Sequence, residues 1–384
     1  MNLVDLRILC GLLASAVSLV AAPLRAEAPK LPVPALDQSA VALRGYFYVG
    51  GKYVGEPGKE IMDGQAYVEV LAPKDVRRPY PLVLIHGAGQ TATNWMGTPD
   101  GRKGWADYFV EQGYVVYMID QPMRGRSAWH PADGATRMFT AAAEEFQFTA
   151  IETAGNWPQA KNHTQWPGDG PTKGRKGDPV FDAFYATQVE TVISNEETEQ
   201  RNKDAGVALL DKIGPAIVLT HSQAGPFGWL IADARPLLVK AILAIEPAGP
   251  PFEATIIGTG KARAWGPTDI PITYDPPVND PAQIAVEQQA QPEPELFACW
   301  MQKTPARQLA NLRNVPVLVM TAEASYHQVY DHCTVAYLNQ AGVKTQFIRL
   351  QDKGIRGNGH MVMIEKNNLE IARLLDEWVQ GNVR

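Results

Sequence analysis

Ser222 sits where an apolar run, Ala216 to Leu219, meets a segment able to start a helix, Ala224-Gly-Pro-Phe-Gly-Trp229. A strand that turns sharply into a helix lifts a serine hydroxyl clear of its sheet. It also leaves the next backbone N–H, here that of Gln223, at a helix N-terminus where an oxyanion can be held. Such a turn needs small residues two places before and after the serine, because strand and helix approach closely. Those places hold Thr220 and Ala224, with Gly225 next. The competing reading of this stretch alone is an ordinary turn whose serine caps the helix. Serine is a weak nucleophile, so the chemical reading requires a base and a carboxylate that orients it.

Only three histidines follow Ser222: His327, His332 and His360. His360, in Gly357-Asn-Gly-His360, stands between the last apolar strand pattern and the last helix pattern, where a loop can carry an imidazole over the sheet. His327 and His332 read as packing or pocket-rim residues. Two carboxylates end strand patterns within reach of such a base, Glu246 and Glu323, and Asp331 is a weaker third. Glu246 is preferred, because it follows the apolar run Ala241 to Ile245, where an unpartnered carboxylate would be costly to bury. Glu323 is kept as the alternative acid. The second oxyanion donor is expected from the residue after His86-Gly87, the Ala88 N–H.

These residues are positioned by alternating patterns. Val41 to Val54 and Gln65 to Ala72 read as an antiparallel pair. Short apolar runs at 82–85, 114–119, 216–219, 239–245 and 315–320 read as strands of a buried sheet, and Val343 to Leu350 reads as a further strand. Helical patterns cover Gly101 to Gln112, Glu196 to Ile213, the segment after Ser222, Val329 to Ala341 and Lys366 to Gln380. Such alternation is that of an α/β fold, a mostly parallel central sheet with helices on both faces. Ligands bind such sheets beyond the carboxyl ends of the strands. His86, Asp120, Ser222, Glu246 and Glu323 all fall just after strands. Two inserts interrupt the alternation, at about 129–195 and 248–313. Their aromatics, Phe146, Phe148, Trp157, Trp166, Trp265 and Trp300 among them, imply ordered caps packed over the site.

The net charge of −6, with no block of like charges, excludes a nucleic-acid footprint or a basic membrane-surface face. Residues 1–28 read as a cleaved signal peptide, with an apolar run from Ile8 to Ala22 and Ala26-Glu27-Ala28 as a cleavage site. The expectation is a periplasmic or secreted protein without a stable membrane anchor after cleavage. Residues 29–384 are then a single catalytic domain. Of the three cysteines, Cys299 and Cys333 lie beyond that segment, and a disulfide between them is expected in an oxidising compartment. No metal-ligand spacing is present, so neither a metal nor another cofactor is expected. A homodimer is left open.

His86-Gly87 after the third strand, Asp120 with Arg124-Gly-Arg-Ser127, the turn at Ser222 and the late His360 resemble the α/β-hydrolase superfamily. Leu84-Ile-His-Gly87, Thr98-Pro-Asp-Gly-Arg102, Gly104-Trp105, Asp120-Gln121 and Arg124-Gly-Arg-Ser127 are similar to secreted bacterial carboxylesterases of the esterase 713 type. The likeness runs over most of the core from about residue 40 onward and is weakest in the inserts. It implies the α/β-hydrolase fold and a triad acid after the sixth strand, which maps onto Glu246. The type enzyme of that branch carries adjacent cysteines directly after His-Gly, where this chain has Ala88-Gly89.

The expectation is therefore a serine esterase working through an acyl-enzyme on Ser222, with His360 and Glu246 completing the triad. The substrate would be a small-molecule ester with an apolar or aromatic group. A lactonase, an amidase or an acyltransferase would use the same triad. Asp120 lies one strand too early to be a carboxylate nucleophile and reads as structural. A non-catalytic binding protein on the same scaffold is the remote alternative, because no triad member is missing.

Overall fold

The computed structural model describes residues 33–130 and 133–384. The expected signal peptide, residues 1–28, lies outside them. Leu36–Arg384 fold as one unit. Its frame is a single sheet of eight strands: β1 (Val41–Val54), β2 (Ile61–Pro73), β3 (Leu82–Ile85), β4 (Val116–Asp120), β5 (Ala216–His221), β6 (Val239–Ile245), β7 (Val317–Thr321) and β8 (Thr345–Arg349). Across the sheet the order is β1-β2-β4-β3-β5-β6-β7-β8. The β1–β2 and β2–β4 pairings are antiparallel, and every other pairing is parallel.

The inner strands are apolar on both faces because both faces are covered. Val83 and Ile85 of β3 and Ala216 and Val218 of β5 enter one core. Leu82, Leu84, Ile217 and Leu219 enter the other. The first core is closed by the helices α2 (Asn195–Ile213), α3 (Gly225–Ala234) and α4 (Asp331–Gln340), through Leu209, Leu230 and Leu338. The second is closed by α1 (Trp105–Glu111) and α5 (Asn368–Asn382), through Trp105, Phe109, Ile371 and Leu375. Leu219 is fully buried beside the serine, so Leu219→Ala would cost about 2–5 kcal/mol.

The helix patterns misplace several ends, and two of the starts are set by contacts with other segments. The helix expected from Gly101 begins at Trp105, because residues 97–104 form a turn closed by Thr98 and Arg102. The Arg102 guanidinium reaches the carbonyls of Ile364, Glu365 and Lys366 and so fastens that turn to the segment before α5. The last helix starts at Asn368, two residues later than expected, since Glu365 and Asn367 are engaged by Asn358 and Gly359. At the start of α2, Ser194 accepts from the Glu197 N–H and supplies a side-chain cap.

The inserts are ordered but contain little regular structure. The first is a string of short helical turns, and its Trp166, Phe181 and Phe184 join the second core. Its Ile151, Trp157 and Ala160 form a third cluster with Ala324, Tyr326, Val329 and Tyr330 from the segment after β7. The second insert holds three two-stranded antiparallel ribbons. A Cys299–Cys333 disulfide, with Cα atoms 5.1 Å apart, ties it to α4. Among the described residues no helix is long and apolar enough to cross a membrane.

Candidate active site

Ser222 follows β5 directly, with φ of 56°, a left-handed conformation that costs a non-glycine residue energy. The turn is held from two sides. Ala248 N–H donates to the Ser222 carbonyl at 2.8 Å, which joins it to the loop after β6. Gly225 lies against that same loop, and a Cβ there would meet the Pro247 Cβ at 2.4 Å. The expected small residues, Thr220 and Ala224, are fully buried, while Ser222 itself is half-buried and reachable.

Glu246 follows β6 and is also left-handed, with φ of 48°. That kink turns its fully buried carboxylate toward His360, whose Nδ1 lies 2.5 Å from Glu246 Oε2. Two further donors converge on the carboxylate, the Ala322 N–H and the Ser325 hydroxyl, each at 2.7 Å. Ser325 Oγ accepts from the His327 N–H, so its own proton is free to point at Glu246. Burial pushes the Glu246 carboxyl up, with Asp331 adding to the effect, and the hydrogen bonds oppose it. Burial, with His221 and His327 nearby, holds His360 well below the usual imidazole range. Three donors point at the Glu246 carboxylate, and the imidazole beside it is neutral. With Nδ1–H directed at Glu246, Nε2 is left as the acceptor.

Four rings surround His360. His221, Phe148, Tyr326 and His327 have ring centroids 4.4, 5.1, 5.0 and 4.9 Å from its own, and the His327 ring is nearly parallel. The Tyr326 phenol also lies near the Ser222 side chain. Burial raises the phenol well above its ordinary value, so it stays protonated.

The other candidates have different partners. Glu323 accepts from Arg356 and from the Gly357 N–H, both at 2.8 Å, and so holds the loop that precedes His360. Asp331 is occupied by Thr321 and by His327 Nδ1 at 2.9 Å. His332 faces the Phe297 carbonyl. Asp120 accepts from Ala92 and Arg126 and braces two loops.

Gly87 lies against the serine, and a Cβ there would be 3.0 Å from the Ser222 Cβ. The peptide that carries the Ala88 N–H is therefore beside the nucleophile, as the Gln223 N–H is by sequence. Tyr326, Phe148 and Ser325 are site residues that spacing does not reveal. Phe148 arrives from an insert and Tyr326 from a short turn after β7, and neither belongs to a periodic pattern.

A family description, "Alpha/beta hydrolase family", matches residues 82–374. The chain belongs to the alpha/beta hydrolase family. A probable secreted lipase, phiG, of Fungal sp. (strain ATCC 74256) is 48% identical over 340 residues, covering 87% of this chain and 89% of that protein. A solved structure described as "a Novel Bacterial Esterase" superposes with a TM-score of 0.58 at 24% identity, covering 93% of this chain and all of that one. At that identity the likeness speaks for the hydrolase fold. The strand order β1-β2-β4-β3-β5-β6-β7-β8, with Ser222 after β5 and Glu246 after β6, is how this member of the family arranges its sheet edge.

Proposed function

We propose that the chain is a secreted serine esterase in which Ser222, His360 and Glu246 form the triad. The observation that carries this reading is the Glu246–His360 contact at 2.5 Å, set beside a serine held at φ of 56°. A neutral imidazole with Nδ1–H on a carboxylate presents a basic Nε2 to the serine proton. Ser222 Oγ attacks the ester carbonyl carbon as its proton passes to His360. Glu246 then faces an imidazolium and stabilises it. The carbonyl oxygen, now negative, is received by the Ala88 and Gln223 N–H groups. His360 returns the proton to the departing alkoxide, leaving an acyl group on Ser222. Water, losing its proton to His360, attacks that acyl group, and collapse of the second tetrahedral intermediate frees the acid and the serine.

Aromatic walls favour substrates with apolar or aromatic groups. Phe148 and Tyr326 flank the base. The name of the fungal relative, a probable secreted lipase, supports both ester cleavage and secretion.

Intact mass after treatment with a fluorophosphonate tests the reading. One adduct is expected on the wild type and none on Ser222→Ala. A folded wild type that takes no adduct, or a Ser222→Ala protein that still takes one, removes Ser222 as the nucleophile.

A further inference from the structure

Arg124 has no place in the triad, yet it is among the least expected side chains in the molecule. It is 3% exposed and makes no ion pair among the described residues. Buried guanidinium groups are ordinarily matched by a carboxylate, because desolvating an unmatched charge is costly. The neighbouring Arg126 meets that rule, with Asp120 and Glu69 as partners. Arg124 instead gives its protons to neutral oxygens. Nη1 donates to the Gly87 carbonyl at 3.1 Å, and Nη2 donates to Gln223 Oε1 at 2.8 Å and to the Thr191 hydroxyl. Burial lowers its pKa to about 9, which leaves it charged at neutral pH.

Two of those acceptors belong to the residues that present the oxyanion donors. The Gly87 carbonyl and the Ala88 N–H are opposite ends of one planar peptide. A donor that pins the carbonyl on one side thereby aims the N–H to the other. His86 adds a second pin. Its Nε2 accepts from the Gln121 N–H at 3.1 Å, so its proton sits on Nδ1, which donates to the same Gly87 carbonyl at 2.9 Å. Burial holds His86 at a pKa of about 4, so that tautomer persists at neutral pH. The other arm of Arg124 fixes the side chain of Gln223, the residue that carries the second donor.

The turn that presents Arg124 is itself strained and over-determined. Met123 has φ of 69°, a left-handed conformation in a residue with a long side chain. It is kept there by the Asp120 carboxylate on the Arg126 N–H and by Ser127, which donates to the Asp120 carbonyl and accepts from the Tyr67 N–H. Strain of this kind survives only where the surroundings enforce it, and it gathers at functional sites.

We infer that Arg124 is the positioning residue of the oxyanion hole: its fork aligns the Gly87–Ala88 peptide and Gln223. The inference rests on the esterase reading above. Donors already held in place need no reorganisation when the oxyanion forms, so the stabilisation falls on the transition state more than on the bound ester.

The test compares Arg124→Met, Arg124→Lys and Thr191→Val with wild type on p-nitrophenyl butyrate, with folding checked by circular dichroism. Arg124→Met is expected to lower kcat by roughly 100-fold or more while KM moves by less than about threefold. Binding of an alkyl trifluoromethyl ketone, which forms an oxyanion on Ser222, should weaken in parallel. Arg124→Lys keeps the charge without the fork and should recover part of both losses. Thr191→Val removes only the contact with the first insert and should leave kcat nearly unchanged. If Arg124→Met does not fold, Arg124→Lys is read alone, and a lowered kcat at constant KM is the expected result. Folded Arg124 variants with wild-type kcat, losses confined to KM, or a Thr191→Val loss as large as that of Arg124→Met would overturn the inference and leave the esterase reading standing. A wild type inert to both ester and fluorophosphonate would overturn both.

Discussion

Two buried histidines, each held by glutamate, sit close together in this molecule and are tuned in opposite directions. His360 faces one carboxylate, Glu246, which is shared with two other donors, and its remaining neighbours are rings, two of them imidazoles. Burial then wins, and the imidazole is kept neutral. His163 lies between two carboxylates, Glu152 at 3.0 Å on Nδ1 and Glu365 at 2.8 Å on Nε2. Burial works against its charge too, but both nitrogens have acidic partners, and its pKa rises to about 9. A neutral imidazole with one free nitrogen can act as a base. A cation with both nitrogens engaged cannot, and it serves as a clamp between the first insert and the loop of His360, since Glu365 also accepts from Asn358 and Gly359. The number of carboxylates, more than the depth of burial, separates the two roles.

Replacing each histidine by glutamine is the strongest test of that contrast. His360→Gln should lower turnover of p-nitrophenyl butyrate by about 10⁴-fold or more in a folded protein, as loss of a triad base does. His163→Gln should instead act on stability, costing about 3 kcal/mol in urea unfolding by leaving two acidic partners without their cation. Equal losses of turnover in the two variants would erase the distinction.

The carboxylates can be compared in the same way. Glu246→Gln keeps the size of the side chain but removes the charge facing the imidazolium, and kcat should fall by roughly 10²–10⁴-fold. Glu323→Gln only loosens the contacts to Arg356 and Gly357, so kcat should stay within about tenfold of wild type. A Glu323 variant that alone loses turnover would hand the acid role to Glu323.

The smaller effects concern pH. His360 must be neutral to accept the serine proton, and its pKa is lowered, so the acid limb of kcat/KM should lie below pH 6.5, the ordinary imidazole value. An acid limb at or above that value would mean that His360 is not held neutral. For His163 the folded pKa is the higher one. Its contribution to stability is therefore fully present below about pH 6.5 and is lost as pH rises through about 9. The stability gap between wild type and His163→Gln should shrink between pH 7 and 10, measured as urea midpoints. A gap that stayed constant or widened would show that His163 is not a buried cation.

Much of the frame was legible before the structure. The runs at 82–85, 216–219 and 241–245 are too short and too uniformly apolar for surface elements, and they lie in the inner strands. The turn at Ser222 could be located because its requirements, small neighbours and a helix directly after a strand, are all local. Helix ends were less legible. Arg102 reaches more than two hundred and fifty residues along the chain to fasten the turn before α1, and no window of sequence contains that contact.

The division is one of range. The α/β alternation, the sharp turn at Ser222 and the set of side chains after strands could be read from the residues alone, since periodicity and turn chemistry act over a few residues. Which carboxylate meets His360 depends on how distant loops fold together. Glu246 and Glu323 both follow strands, but Glu246 is bent inward by a left-handed backbone, whereas Glu323 is held by the His360 loop itself. Tertiary folding also brings Phe148, Tyr326 and Arg124 around the serine. Each arrives from a different loop, and the physical reason for its place is packing and hydrogen bonding between segments far apart in the chain.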